Sequence, residues 1–96
     1  MPKRQTRPSS PFKFCLFPGY RYCGPGCSGP GAPFNGADAC CKAHDECYRK
    51  HGRSCLCDLK FMRCLESRIN PHTREGRQAR LMHNYMRLQT RRCHEL

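Results

Sequence analysis

Ten of the 96 residues are cysteine, and no other feature of the chain limits its fold as strongly. A chain this short buries only roughly 60–65% of the surface its unfolded form exposes. The mean hydropathy of −0.83 and the absence of Trp make the apolar core thinner still. Covalent cross-links must therefore do part of what a large core does elsewhere. Ten is even, so five bridges are possible, and such a density belongs to an oxidising compartment. No apolar run approaches the roughly 20 residues of a membrane-spanning helix. Wholesale disorder is excluded by the same cysteines. The N-terminus carries no export signal in view, because residues 1–10 are basic and polar and Phe12-Lys13-Phe14-Cys15-Leu16-Phe17 is too short and too charged for a signal core. An extracellular or other oxidising location is expected, with the export route unmarked.

Punctuation divides the chain. Residues 1–11 hold three prolines and no periodicity, and read as a flexible basic arm before a single domain over 12–96. From 18 to 36 six glycines and four prolines preclude a regular helix or central strand and leave a shaped loop. Asn35 is placed to cap a helix running to about Lys50, with Gly52 at its end. Ser54 caps a second to about Ile69, closed by Asn70-Pro71, and Thr73 a third to about Arg92. On the third, Leu81, Met82, Tyr85, Met86, Gln89 and Cys93 share one face, and Arg77, Arg80, Asn84, Arg87 and Arg91 the other. The expected class is mostly α: a disulfide-locked antiparallel helical hairpin preceded by a Gly/Pro-rich loop and followed by an amphipathic helix.

The cysteine spacing specifies the hairpin. Cys40 and Cys47 are seven apart, as are Cys57 and Cys64, so each pair lies on one helical stripe. Both the 40/64 and the 47/57 combinations are centred on Gly52. A fold-back there sets Cys40 against Cys64 and Cys47 against Cys57, two rungs worth about 2–4 kcal/mol each. Between the rungs the same fold-back opposes His44 to Asp58. A histidine held by a carboxylate is the arrangement of a general base, although an arbitrary His–Asp pair is more often a structural ion pair. Asp45 stands about 100° round the helix, on the face of Cys41. Should Cys41 bond to a cysteine of the glycine loop, that loop's carbonyls come beside the Asp45 carboxylate, a hard-oxygen set suited to Ca²⁺. The plainer reading of Asp45 is a solvated surface acid.

At these residues the chain resembles a family. Cys40-Cys41-Lys42-Ala43-His44-Asp45-Glu46-Cys47-Tyr48 is similar to the active-site helix of secreted phospholipases A2, pattern C-C-x-x-H-D-x-C-Y. Tyr22-Cys23-Gly24-Pro25-Gly26 resembles their calcium loop, and Cys55-Leu56-Cys57-Asp58 with Cys64 their second long helix. The run from Pro18 to Gly26 also looks like the compact bacterial and viral-capsid members. The resemblance implies that His44 deprotonates a water attacking the sn-2 ester of a glycerophospholipid, with Asp58 orienting His44 and Tyr48 hydrogen-bonding Asp58. It implies a Ca²⁺ held by Asp45 and the carbonyls of Tyr22, Gly24 and Gly26, and an oxyanion donor in the Gly24 N–H. It implies the bridges Cys23–Cys41, Cys40–Cys64 and Cys47–Cys57. The partners of Cys15, Cys27, Cys55 and Cys93 stay open. Two family features are missing: the segment between the long helices is too short for a β-wing, and Pro8, Pro11 and Pro18 interrupt any N-terminal helix.

Lys plus Arg outnumber Asp plus Glu by 18 to 7, and the net charge of +11 asks for an anionic partner. A phospholipid surface is expected, met by Phe12, Phe14 and Phe17 as an apolar lip and by Arg77, Arg80, Arg87 and Arg91 at the headgroups. Nucleic acid is not expected, since no stacking aromatic pattern accompanies the arginines; a monomer is. The alternative from another class is a catalytically silent phospholipase-like membrane-binding or toxin module. Retention of His44, Asp45 and the loop glycines speaks for the enzyme. A zinc site on Cys40, Cys41, His44 and Cys47 is a third reading, which lacks two separated knuckles.

Overall fold

A computed structural model describes residues 13–95; Phe12 and the arm over 1–11 lie outside them. Three helices form: α1 (Gly36–His51), α2 (Cys55–Glu66) and α3 (Arg74–Gln89), with a 3₁₀ turn over Arg91–Glu95. Each α-helix begins where the sequence places a cap. The side chains of Asn35, Ser54 and Thr73 accept the N–H of Asp38, Cys57 and Gly76 at 2.8, 3.1 and 2.9 Å. Gly52 closes α1 at φ +75, its N–H donating to the Tyr48 carbonyl. No strand forms among the described residues.

α1 and α2 run antiparallel, cross-linked by Cys40–Cys64 and Cys47–Cys57. Cys23–Cys41 fastens the glycine-rich segment to α1, and Cys15–Cys27 closes that segment on itself. Cys55–Cys93 ties the 3₁₀ turn to the start of α2. Every cysteine is bridged, so no thiolate remains for zinc. Five bridges point to an oxidising compartment. The small core gathers Tyr20, Ala37, Leu65, Ala79 and Met86 around buried disulfides.

Both later helices end short of their expected limits. α2 stops at Glu66 because the Ser67 hydroxyl takes the Cys64 carbonyl at 2.6 Å and the chain tightens into i→i+3 bonds. α3 stops at Gln89 because the Thr90 hydroxyl turns back to the Met86 carbonyl at 2.7 Å, and Cys93 is drawn toward α2. The face of α3 is also rotated from expectation. Gly76, Ala79, Met82, His83 and Met86 are buried, while Leu81 and Tyr85 are 61% and 60% exposed. Gly76 lies against the turn before α3, where a Cβ would come 2.2 Å from the Asn70 carbonyl oxygen, and Ala79 is fully buried.

Glu75 joins three elements. Its carboxylate accepts the Ala37 N–H at the start of α1 and pairs with Arg68 at 3.1 Å. Burial alone would raise this carboxyl, but the bonds from Arg68 and Ala37 outweigh it and hold it below its usual value. The stabilisation is therefore full above the unfolded-state pKa, about 4.3, and is lost as pH falls through the lower folded value. Glu75→Gln is expected to cost about 1–2 kcal/mol at pH 7. Thermal melts of the two proteins should draw together as pH falls below the unfolded-state value and converge once it is below the lowered folded one.

Candidate active site

The two rungs fix the register of the hairpin, and the register fixes the site. His44 Nε2 lies 2.8 Å from Asp58 Oδ1. Tyr48, one turn on from His44 along α1, donates its hydroxyl to the same oxygen. The phenol is pushed up to about 12, first by burial and then by its bond to and the charge of Asp58, so it stays a donor. With Nε2 committed to the carboxylate, base chemistry falls to Nδ1. The imidazole is boxed by aromatic rings, stacked on Phe61 at 4.3 Å and tilted against Tyr48 at 4.2 Å.

A cavity of about 600 Å³ opens beside this pair, with Tyr22, Gly24, His44 and Asp45 in its wall. The rest of the lining is mostly apolar. Met82 and Met86 form the inner wall, and Phe14, Leu16, Leu81 and Tyr85 rim it while 44–61% exposed. Leu81 and Tyr85, assigned from the sequence to one face with Met82 and Met86, thus belong to the rim. Phe17 is half-buried in the lining and packs on Tyr20 at 5.2 Å. Arg77, Arg80, Arg87 and Arg91 are exposed and stand apart from the cavity wall.

The loop is held by a group whose part the sequence does not reveal. Asp38 reads as an acid at the helix N-terminus, yet its side chain turns outward from α1 and is fully buried. It accepts the N–H groups of Arg21 at 3.0 Å, Tyr22 at 2.9 Å and Phe34 at 2.8 Å. A carboxylate surrounded by three backbone donors pins both ends of the glycine-rich segment to α1. Gly24, at φ +130, lies under the crossing backbone: a Cβ there would come 2.1 Å from the Phe14 carbonyl oxygen. Bonds of 2.9 Å from Phe14 N to Pro25 O and from Leu16 N to Cys23 O make that crossing.

Among the described residues no three His, Cys, Asp or Glu side chains gather as a metal cage. A site built from one carboxylate and backbone carbonyls is a different case, and the residues fit it. Asp45 is half-buried and forms no ion pair among the described residues, and desolvation pushes its carboxyl up to about 6 despite Arg49 nearby. That is the condition of a carboxylate which a hard cation would relieve. Tyr22 and Gly24 share its cavity wall; Gly26, two residues on, is not part of that wall. The Gly24 carbonyl accepts the Cys27 N–H at 3.1 Å, which occupies one of its two lone pairs.

Residues 13–55 match the model of a phospholipase A2-like domain. Among curated proteins, the chain is 53% identical over 36 residues to the acidic phospholipase A2 homolog taipoxin gamma chain of Oxyuranus scutellatus scutellatus, covering 38% of this chain and 22% of that one. It is 48% identical over 48 residues to phospholipase A2-beta of Arabidopsis thaliana, covering 47% and 33%. It is 49% identical over 39 residues to the acidic phospholipase A2 homolog textilotoxin D chain of Pseudonaja textilis, covering 41% and 24%. The matches support a phospholipase A2 family. The narrower likeness to bacterial and viral-capsid members is not borne out by them. The matched segments span at most a third of these relatives' length. No solved structure matches the chain. The family match ends at residue 55, before Asp58, so the assignment of Asp58 stands on its distance to His44.

Asp38→Asn replaces one of the accepting oxygens by an NH₂ group facing backbone donors. It is expected to destabilise the fold by about 3 kcal/mol. Hydrogen exchange should quicken selectively at Arg21, Tyr22 and Phe34, leaving α2 protected.

Proposed function

We propose that this protein is a calcium-dependent phospholipase A2 that hydrolyses the sn-2 ester of glycerophospholipids at an anionic membrane surface. The observation that carries the reading is the His44–Asp58 pair opening, beside Asp45, onto a largely apolar cavity of about 600 Å³. In the reaction, His44 Nδ1 takes a proton from a water lodged in the cavity, and the oxygen of that water attacks the ester carbonyl. Asp58 fixes the tautomer and balances the imidazolium that forms; Tyr48 steadies Asp58. The Gly24 N–H is the oxyanion donor. Calcium, held by Asp45 and the carbonyls of Tyr22, Gly24 and Gly26, would supply positive charge at the ester carbonyl and the phosphate. The imidazolium then returns its proton to the departing glycerol oxygen.

The apolar rim and the exposed α3 arginines suit an anionic lipid surface. Apolar side chains enter the acyl region while arginines meet headgroups, each adding on the order of 1 kcal/mol. Among the described residues no helix is long and apolar enough to cross a membrane, so contact is by docking on the surface. Export to the extracellular space, and action as a monomer, complete the proposal. A second reading draws on two relatives titled as phospholipase A2 homologs among toxin chains: a lipid-binding protein without turnover.

Fatty acid released from anionic phosphatidylglycerol vesicles should come from the sn-2 position and cease with EDTA. His44→Gln should keep all five bridges by intact mass while losing about 10²–10⁴-fold in rate. Full activity in that variant would sink the enzyme reading, and vesicle leakage without released fatty acid would establish the second.

A further inference from the structure

Phe61 has no part in the sequence motifs, yet its ring stacks on the imidazole of His44. It lies one turn beyond Asp58 on α2, so the two side chains reach toward α1 from the same face. Its ring is 8% exposed and lies nearly parallel to that of His44, with 14° between planes and 4.3 Å between centroids. His44 and Phe61 are also the two residues shared by the large cavity and a second hollow of about 310 Å³ on the other side of the hairpin, where Lys50, His51 and Lys60 stand. The phenyl ring is thus part of the partition between these spaces.

We infer that Phe61 is the positioning residue of the catalytic imidazole. It acts by stacking on the ring and by presenting its π face to the positive charge that develops there. The hydrogen bond to Asp58 fixes one atom of the imidazole, and Tyr48, tilted at 51°, does not lie flat on the ring, so a swing about the Asp58 contact remains. A parallel phenyl ring removes the swing and holds Nδ1 toward the cavity. Imidazolium over an aromatic face within about 6 Å is attracted by the ring quadrupole, whereas neutral imidazole gains less. The contact therefore strengthens as the proton arrives, which is the condition for accelerating the step. Leu or Ala in this place would fill or vacate the volume without offering a face.

The inference rests on the hydrolase reading for its kinetic consequence and on geometry alone for its stacking. The test compares Phe61→Leu, which keeps an apolar core residue, with Phe61→Tyr, which keeps the ring, both verified for five bridges and an unchanged helical spectrum. On phosphatidylglycerol vesicles, Phe61→Leu should lower kcat about tenfold with KM within about twofold, and Phe61→Tyr should recover most of the loss. In parallel, the His44 ring protons, assigned by their disappearance in His44→Gln, should be shifted upfield by the phenyl ring current in wild type and in Phe61→Tyr. The shift should shrink in Phe61→Leu to what the Tyr48 ring alone supplies. Unchanged His44 ring shifts in Phe61→Leu would overturn the inference. So would an unchanged kcat, or a KM rise alone. A wild-type protein that hydrolyses no lipid would instead overturn the hydrolase reading, and the ring shifts then decide the positioning role by themselves.

Discussion

The register between α1 and α2 is the constraint on which the rest depends. Two disulfides set two helical turns apart on each helix allow one alignment only, and that alignment brings His44 onto Asp58. In a larger protein such a pair is held by a core that surrounds it. Here few side chains are wholly buried. The covalent rungs keep the pair in place while leaving room for a ligand beside it. Their position on either side of the imidazole means that neither end of the gap can open.

A second fixed element, the glycine-rich segment, meets this hairpin at Asp45. It gives Tyr20, Tyr22 and Cys23 to the core but has no regular hydrogen-bond ladder. Its shape comes from Cys23–Cys41, from Cys15–Cys27 and from the three backbone donors that converge on Asp38. The consequence is a rigid backbone surface next to a desolvated carboxylate, where only glycine tolerates the crossing chain at Gly24. The apolar rim, from residues 14–16 and α3, is solvent-exposed by comparison.

The hairpin, its two rungs and the facing of His44 and Asp58 were legible because helical spacing and a central glycine convert sequence separation into distance. The caps at Asn35, Ser54 and Thr73 were legible because short polar side chains before an apolar run have a local purpose. What sequence could not convey depends on tertiary rotation. Leu81 and Met82 are adjacent and both apolar, yet one faces water and the other the interior, decided by the rotation of α3 about its own axis. The Cys55–Cys93 pairing required knowing that α3 returns beside the start of α2. Asp38 and Phe61 escaped for a related reason. Each acts on a segment distant in sequence, and neither residue type in its place announces a partner. The one available signal for Asp38 was a carboxylate in the first turn of α1, directly after a segment whose glycines and prolines preclude a regular ladder.

The five bridges also have a topological consequence. Cys15–Cys27, Cys23–Cys41, Cys40–Cys64 and Cys55–Cys93 overlap end to end along the chain. Every peptide bond between residues 15 and 93 is therefore bypassed by at least one sulfur link. A protease that nicks any single exposed turn produces two pieces that remain one molecule, with the severed ends free to find each other again. For a small scaffold in surroundings rich in digestive activity, survival then depends on multiple hits rather than one.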